Sequence, residues 1–193
     1  MSVEDKGLIF LSVPLIEKMP ERFIQRCLAL GTDQVLAGEI TNAELLISPV
    51  GVDYSNLNNL LSRGQWQDAD LETKQVMLRV IGRDDYLPGG AVDEFSCEDL
   101  AIIDLLWIHH SGNRFGFSVQ VRILQEVKED WDSFGDRVGW RVNQVWQPKG
   151  DRLNTLQAPK GHLPSAAIRS VGKGANARTR ILKRFADCEL SEW

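Results

Sequence analysis

Residues Asp99–Gln120 decide the fold, and their sequence is Asp-Leu-Ala-Ile-Ile-Asp-Leu-Leu-Trp-Ile-His-His-Ser-Gly-Asn-Arg-Phe-Gly-Phe-Ser-Val-Gln. The first half is apolar on nearly every side of a helical projection, which is typical of a helix in the middle of a domain. Ser96 and Asp99 have capping-box spacing, and Gly112 predicts the helix end. A second apolar segment begins at Phe115, so we expect the rest of the domain to pack around this pair.

The chain has 193 residues, enough to bury a full hydrophobic core. Its apolar runs are all shorter than the roughly 20 residues that span a bilayer, so membrane attachment is expected to be peripheral at most. The acidic N-terminus is typical of neither a secretory nor a transit peptide, which predicts a protein that works in the compartment that makes it, such as the cytoplasm. Three widely spaced cysteines (Cys27, Cys97 and Cys188) predict reduced thiols, with neither a disulfide nor a zinc site.

The net charge of −5 is unevenly distributed along the chain. Residues 1–151 carry 14 Lys and Arg against 24 Asp and Glu, whereas residues 152–186 carry eight cations and no acid. A basic block in an acidic protein favours either an anionic ligand or partner, or a solvated helix face. The block lacks interleaved aromatic residues, so nucleic-acid binding is not expected.

Several further helices are predicted around the central one. Residues 1–48 are expected to form a short extension packed on a core of residues 49–193, with a strand or extended arm at 7–16 and helices from Pro20 and from Thr32. In the core, Asp53 is a plausible helix N-cap, Gly64 ends that helix, and a second helix packs back from Trp66.

The segment after Phe115 is ambiguous from its pattern alone. It alternates like a strand, yet Phe117, Val121, Leu124 and the stem of Lys128 also fit one face of a helix that runs to Asp130. A further short helix is predicted at 137–146, where Val138, Val142 and Trp146 share a face and Gly139 lets a neighbour come close.

Two long loops and a basic tail complete the predicted core. Residues 82–95 and 147–164 have the composition of loops, and long loops in compact domains are often functional. Apolar residues in the first loop are expected either to tuck under it or to face a ligand. The tail from Ala166 to Phe185 is expected to be partly helical, anchored by Ile168, Ile181 and Leu182.

The sequence contains no recognisable catalytic constellation. His109, His110 and His162 form no zinc motif, Ser165 and Ser170 lack a nucleophile-elbow setting, and Gly172-Lys173-Gly174 is not a phosphate-binding loop. Asp99 and Asp104 fit a helix cap and an ion-pair partner better than an acid–base pair. The chain is therefore expected to bind rather than to catalyse.

Four motifs resemble the signature of the genomes-uncoupled-4 domain family, in the same order. They are Asp53-Tyr54-x-x-Leu57 through Met77-Leu78, the Asp99–Gln120 stretch, Gly139-Trp140, and Ala158-Pro-Lys-Gly-His-Leu-Pro164. The resemblance covers roughly residues 50–190. It implies an all-α, genomes-uncoupled-4-like helical cup with long rim loops, plus a short N-terminal extension, and it favours the helical interpretation of the segment after Phe115.

The resemblance also implies a function. Proteins of this family bind protoporphyrin IX and Mg-protoporphyrin IX, and they stimulate magnesium chelatase in chlorophyll biosynthesis together with its large porphyrin-binding subunit. The rim of the cup would be residues 82–95 and 147–164, and Arg169 followed by Lys160 would face the porphyrin propionates. His162 would either ligate a bound magnesium ion or hydrogen-bond the loop backbone. The complete set of predicted porphyrin-binding residues is Leu87, Val92, Phe95, Phe115, Phe117, Trp140, Val142, Trp146, Leu153, Leu156, Lys160 and Arg169.

One departure leaves a second function open. The segment before Ala158 contains Leu153 and Leu156 but none of the aromatic residues that such proteins often have there, which predicts weaker porphyrin binding. The alternative is a regulatory module of the same fold that binds a protein partner and has weak or lost porphyrin affinity.

Overall fold

The computed structural model describes residues 9–10, 39–40, 50–148, 155–171, 179–188 and 190. This part of the chain forms seven α-helices, one 3₁₀ helix and two two-stranded antiparallel sheets. The helices are α1 (Ser55–Ser62), α2 (Trp66–Val80), α3 (Gly89–Asp93), α4 (Cys97–Ser111), α5 (Phe117–Glu126), α6 (Trp131–Arg137), the 3₁₀ helix η1 (Ile168–Ser170) and α7 (Arg180–Asp187). The strands are β1 (Ile9–Phe10), β2 (Glu39–Ile40), β3 (Arg141–Val142) and β4 (Val145–Trp146). The predicted all-α class is confirmed.

Helix α4 is the buried centre of the domain, as its sequence predicts. The Ser96 hydroxyl accepts a hydrogen bond from the Asp99 amide at 3.2 Å, and Gly112 ends the helix in the left-handed conformation with φ 61°. Eleven of its 15 residues are buried, on all sides of the helix. A helix without a polar face has to be surrounded by protein, so the other helices pack around it.

Helices α1 and α2 pack against each other, and α1 also packs on α4. The N-cap of α1 is Tyr54 rather than the predicted Asp53, whose carboxylate accepts instead from the Ser55 amide at 2.7 Å. The Trp107 indole of α4 donates to the Thr73 hydroxyl of α2 at 2.9 Å. This buried bond fixes α2 against the central helix at a defined register.

Helix α5 confirms the helical interpretation of the segment after Phe115. It ends at Glu126, earlier than the predicted Asp130, because Lys128 and Glu129 adopt positive φ angles of 54° and 60°. Lys128 therefore lies outside the helix. Helix α7 packs on α5 and on α3, and α6 also packs on α5.

The prediction of a helix at residues 137–146 is wrong. The structure has helix α6 before this segment and the β3–β4 hairpin within it, with Arg141 opposite Trp146 and Val142 opposite Val145. Positive φ angles at both turn residues, 50° at Asn143 and 65° at Gln144, give the mirror-image turn that suits a two-residue hairpin. Spacings of four residues fit a helix, but this turn interrupts them.

Two further expectations need correction. The segment 82–95 is not entirely a loop, because it contains α3. Cys97 and Cys188 form a disulfide, with 5.5 Å between their Cα atoms, where the sequence predicted reduced thiols. The pair lies 91 residues apart in sequence, and only the docking of α7 beside the start of α4 brings the two residues together.

The N-terminal part is described only at its strand pair. Strand β1 lies within the predicted arm at 7–16 and pairs with β2, so that Ile9 is opposite Ile40. The helices predicted from Pro20 and Thr32 lie outside the described residues, and the division at residue 48 stays a prediction. None of the helices in the described ranges has the length and apolarity of a membrane span.

Candidate functional site

The β3–β4 hairpin has one packed face and one exposed apolar face. Cross-strand partners share a face, so Arg141 and Trp146 lie on one side and Val142 and Val145 on the other. The first side packs on α6, where the Arg141 guanidinium pairs with Asp136 at 2.7 Å. Val142 and Val145 are 48% and 61% exposed. We call the surface formed by these two valines the outer face of the hairpin.

Stacked aromatic rings hold the hairpin in place. The Trp146 indole lies nearly parallel to that of Trp131, with centroids 5.7 Å apart, and Trp131 stacks on Phe134 at 4.9 Å. Gly135 makes this stack possible, because a Cβ atom there would lie 2.5 Å from the Trp146 ring. A hairpin fixed by an indole stack presents its outer face in one orientation. Less conformational entropy is therefore lost when a ligand binds to it.

The two ends of the predicted rim segment 147–164 both lie near the base of this hairpin. At its start, the Gln147 amide donates to the Trp140 carbonyl at 2.8 Å. On its return, Pro159 lies so close to Gly139, φ 71°, that a Cβ there would meet the proline ring at 2.7 Å. The close approach predicted at Gly139 is therefore confirmed. Leu156, 42% exposed, and the exposed Lys160 lie on either side of this return point along the chain.

The turn from Ala158 to Pro164 is a largely buried scaffold. Polar side chains from four surrounding elements hold its backbone. The Arg114 guanidinium binds the Ala158 carbonyl, the Gln120 amide donates to the carbonyls of Gly161 and Pro164, the Trp140 indole donates to the His162 carbonyl, and Asp70 accepts from the Ser165 and Ala166 amides. These bonds give the motif a structural role, and within it only the Lys160 side chain is exposed.

His162 is part of this scaffold. Its ring is buried, and Nδ1 lies 2.7 Å from the Val138 carbonyl oxygen. A neutral ring that donates from Nδ1 satisfies this geometry. The structure therefore matches the hydrogen-bonding alternative for His162, and no group of three or more His, Cys, Asp or Glu residues in the described ranges is arranged to hold a metal ion.

The structure brings the other predicted rim, residues 82–95, beside Arg169. The Leu87 amide donates to the Ser170 carbonyl at 3.2 Å, and Leu87 forms a parallel bridge with Val171. Arg169 itself is exposed. The segment from Ala158 to Val171 therefore runs from the base of the hairpin to the loop around Leu87, with exposed cations near both ends.

The predicted porphyrin-binding residues divide into three groups. The buried group has at most 2% exposure and comprises Leu87, Val92, Phe95, Phe115, Phe117 and Trp140. The group with surface exposure comprises Val142, Trp146, Leu156, Lys160 and Arg169. Leu153 lies outside the described residues.

The buried aromatic residues do not share one wall. Phe115 packs against Trp66 and Trp107, whereas Phe117 packs against Phe185. Trp140 belongs to the cluster of Trp131 and Phe134 beside the hairpin. Ligand contact by the buried group stays a prediction and would require α7 or a rim segment to move.

Part of the basic block is engaged within the protein. On α7, Arg180 pairs with Asp93 at 2.5 Å, Lys183 lies 3.6 Å from Glu129, and the Arg184 guanidinium donates to the Phe95 carbonyl. These cations lie on a helix that packs on α3 and α5, so they do not form a free basic surface. Arg152, Lys173 and Arg178 lie outside the described residues.

The adjacent histidines close the last turn of α4, as predicted. His110 Nε2 lies 2.8 Å from the Asn58 side-chain oxygen on α1. Burial, followed by the neighbouring His109, lowers the pKa of His110 to about 4. A neutral ring that donates to an amide oxygen joins α4 to α1 and leaves no catalytic role to infer.

Sequence reasoning missed Val145 and Trp131. Val145 was missed because a helix was predicted there, although Val142 and Val145 directly flank a two-residue polar turn. Trp131 follows Asp130, whose carboxylate accepts from the Ser133 amide at 2.8 Å and caps α6. That cap spacing was a detectable signal.

Comparisons with known proteins agree with this architecture. The Ycf53-like protein of Synechocystis is 34% identical in an alignment of 125 residues that covers 62% of this chain and 53% of that protein. The protein named "Tetrapyrrole-binding protein, chloroplastic" from Arabidopsis thaliana is 35% identical in an alignment of 125 residues that covers 58% of this chain and 47% of that protein. The chain thus spans about half the length of the curated relatives it matches.

Solved structures show the same fold. GUN4 from Chlamydomonas reinhardtii superposes with a TM-score of 0.61 at 24% identity, covering 77% of this chain and 93% of that one. Ligand-free Arabidopsis thaliana GUN4 gives a TM-score of 0.55 at 31% identity, covering 68% and 92%. The family model described as GUN4-like matches residues 47–179, more than half of the chain. The chain therefore belongs to the GUN4-like family.

Proposed function

We propose that this protein binds a tetrapyrrole without transforming it, and that the outer face of the hairpin is part of the binding surface. The main support is the pair of exposed valines held rigidly by the Trp131–Trp146 stack. Exposed apolar side chains that the fold holds in a fixed orientation favour a flat apolar ligand. The tetrapyrrole-binding relative in Arabidopsis supports the same ligand class.

Protoporphyrin IX and Mg-protoporphyrin IX are the proposed ligands. A macrocycle that buries a few hundred Å² of apolar surface gains on the order of 10 kcal/mol before entropy and desolvation costs. Those costs leave a net affinity near the micromolar range. Leu156 extends the apolar surface along the returning rim segment, and Lys160 provides a cation for a propionate beside the hairpin base.

The proposed physiological role is stimulation of magnesium chelatase through its large porphyrin-binding subunit, in the cytoplasm or the plastid stroma. Family membership supports this role. Adding the protein to a magnesium chelatase assay is expected to raise the rate of magnesium insertion. The protein alone is expected to leave protoporphyrin IX chemically unchanged.

The double variant Val142→Thr/Val145→Thr is expected to weaken protoporphyrin IX binding at least about fivefold, because two hydroxyl groups replace apolar contact area on the outer face. Threonine keeps the β-branched shape, so the hairpin itself is preserved. Binding is measured by the shift of the Soret band and by quenching of tryptophan fluorescence. The matched control is Leu71→Gln, which removes an exposed apolar residue from α2, away from the hairpin. Equal weakening by both variants would show that the outer face has no specific part in binding.

Lys160→Gln is expected to weaken binding of protoporphyrin IX about fivefold and to leave binding of its dimethyl ester unchanged, because a partly exposed ion pair contributes about 1 kcal/mol. Arg169→Gln serves as the comparison, since Arg169 was predicted from the sequence to be the first propionate partner. If Lys160→Gln weakens diacid binding more, the propionates lie at the hairpin base. If Arg169→Gln weakens it more, they lie beside Leu87. Loss of diacid and ester binding to the same extent would remove the propionate role from both residues.

A second function is favoured by the burial of six predicted ligand-contact residues. The outer face of the hairpin is also suited to an apolar patch on a protein partner. This alternative predicts a titration with no Soret shift, together with an effect of the Val142→Thr/Val145→Thr variant on magnesium chelatase activity.

A further inference from the structure

The Cys97–Cys188 disulfide joins two elements that meet at the edge of the core. Cys97 is the first residue of α4, and Cys188 is the C-cap of α7. Both residues are half-buried rather than enclosed in the core. The bond therefore connects the end of α7 to the most deeply embedded helix in the domain.

Helix α7 covers apolar residues that the sequence assigned to ligand binding. Its Phe185 ring lies 6.2 Å from the ring of Phe117 on α5. Arg180 reaches α3 through Asp93, and the Arg184 guanidinium donates twice, at 2.9 and 2.8 Å, to the carbonyl of Phe95. In the oxidised protein, α7 thus packs on both α3 and α5.

The disulfide is not the only attachment of α7. Ile181, Leu182 and Phe185 are fully buried, and the Arg184 hydrogen bonds hold the same end of the helix that the disulfide holds. A domain with a core of this size does not depend on a disulfide to fold. Breaking the bond therefore changes how firmly α7 is held while the rest of the core stays packed.

We propose that the Cys97–Cys188 disulfide is a redox-operated clamp that holds α7 over the apolar surface of Phe95 and Phe117. In the dithiol form the C-terminal end of α7 detaches more often, and this opening gives a ligand access to that surface. The ligand part of this inference rests on the proposed tetrapyrrole function, whereas the opening of α7 does not.

The chemistry is a thiol–disulfide exchange with a dithiol reductant. One reductant thiolate attacks a sulfur of the Cys97–Cys188 bond, which breaks as a mixed disulfide forms and the released cysteine thiolate takes a proton. The second reductant thiol then displaces the other cysteine. The reductant leaves as its own disulfide, two electrons having passed to Cys97 and Cys188. The position of Cys97 at a helix N-terminus stabilises its thiolate as a leaving group, whereas the neighbouring acidic residues Glu98 and Asp99 oppose this effect.

The test is hydrogen exchange on the full chain carrying Cys27→Ser, so that only the structural pair can form a bond. Reduction with dithiothreitol is expected to accelerate exchange of α7 amides at least about tenfold, while α2 amides change less than about twofold. Equal acceleration of exchange in α2 would show that the disulfide stabilises the whole fold. No acceleration in α7 would show that the docking of α7 does not need the bond. Either result overturns the clamp.

Two variants sharpen this test. Cys188→Ser is expected to reproduce the reduced state without a reductant. Arg184→Gln removes the second attachment of the same helix end, so it is expected to change exchange little in the oxidised protein and strongly in the reduced one. If the effects of reduction and of Arg184→Gln on α7 exchange are simply additive, the disulfide and Arg184 do not hold the same end of α7 together. The clamp as proposed would then be wrong.

The ligand arm repeats the protoporphyrin IX titration in both redox states. Binding is expected to tighten at least about fivefold on reduction, because the competent state becomes more populated. Equal affinity in both states, with α7 opening confirmed, would overturn ligand access through α7. Failure of both states to bind contradicts the proposed function and leaves the clamp to be decided by exchange alone.

Discussion

Replacing Asp70 by alanine is expected to destabilise the folded chain by about 3–5 kcal/mol, one of the largest effects of any single substitution in this domain. The carboxylate is buried on α2 and accepts from the Ser165 amide at 2.5 Å, the Ser165 hydroxyl at 2.9 Å and the Ala166 amide at 2.8 Å. Alanine leaves all three donors buried without this acceptor. The free energy of unfolding in urea, followed by far-UV circular dichroism in the oxidised state, measures the effect.

Two matched variants separate the hydrogen bonds from the loss of charge. Asp70→Asn keeps the shape and one acceptor oxygen, so its effect is expected to be about half that of alanine. Asp68→Ala removes an exposed carboxylate from the first turn of the same helix and is expected to cost less than about 1 kcal/mol. If Asp70→Ala were no more destabilising than Asp68→Ala, the segment around Ser165 would be held by other contacts.

The Asp70 contacts also show which parts of the structure the sequence could predict. Local signals worked where a single residue decides the outcome: Ser96 starts α4, Gly112 ends it, and Gly139 admits Pro159. The role of the turn at 158–164 could not be predicted from its own residues. Its backbone is held by Arg114 and Gln120, and the two residues that follow it are held by Asp70, all of which come from distant parts of the chain.

The failures have a common physical cause. The spacing of Val138, Val142 and Trp146 fits a helix, but positive φ angles at Gly139, Asn143 and Gln144 break it, and the hairpin turn itself contains no glycine. Likewise, burial of Phe117 by Phe185 and pairing of Cys97 with Cys188 depend on where α7 docks. Periodicity predicts which residues form an apolar face. It does not show whether that face is buried in the core or available to a ligand, because this depends on whether a helix distant in sequence packs on it.

Replacing Asp104 by asparagine is the second substitution with a large expected effect, and the size of that effect depends on pH. Asp104 is buried in the middle of α4, and its Oδ1 accepts from the Ser118 amide at 3.0 Å, capping the start of α5 from outside that helix. Within the described residues no well-aligned hydrogen bond reaches Oδ2. Burial raises the pKa of Asp104 from 3.8 to about 6, against the lowering effect of the Ser118 hydrogen bonds.

A raised pKa makes the contribution of Asp104 to stability greatest in acid. Below the unfolded-state pKa both states are protonated and the contribution is fully present, and it is lost as the pH rises through about 6. The difference is about 3 kcal/mol over this interval. His110 acts in the opposite direction, because its lowered pKa gives a contribution that is present above pH 6.5 and lost as the pH falls toward about 4. In the unmodified chain these two dependences oppose each other between pH 4 and 6.

Asp104→Asn is therefore expected to raise the free energy of unfolding at pH 8 by up to about 3 kcal/mol, since the amide keeps the bond to Ser118 without a buried charge. At pH 4 the variant and the unmodified chain should be nearly equal. Without Asp104, stability should fall more steeply on acidification, because the His110 dependence is no longer opposed. Urea unfolding at pH 4, 6 and 8 gives the three values.

The control is Asp130→Asn, at the exposed cap of α6, where hydrogen bonds from Ser133 lower the pKa of the carboxyl. Asparagine caps a helix about as well as aspartate, so little change is expected at pH 8. A loss of stability at pH 8 in Asp104→Asn, with none in Asp130→Asn, would contradict this prediction. It would mean that the favourable interactions of the ionised carboxylate exceed the desolvation cost of burying it. In that event the hydrogen bonds from Ser118 and the positive charge of Arg122, which both lower the pKa of Asp104, would have to stabilise the ionised form more strongly than the raised pKa allows. The core around α4 would then be built to keep that charge.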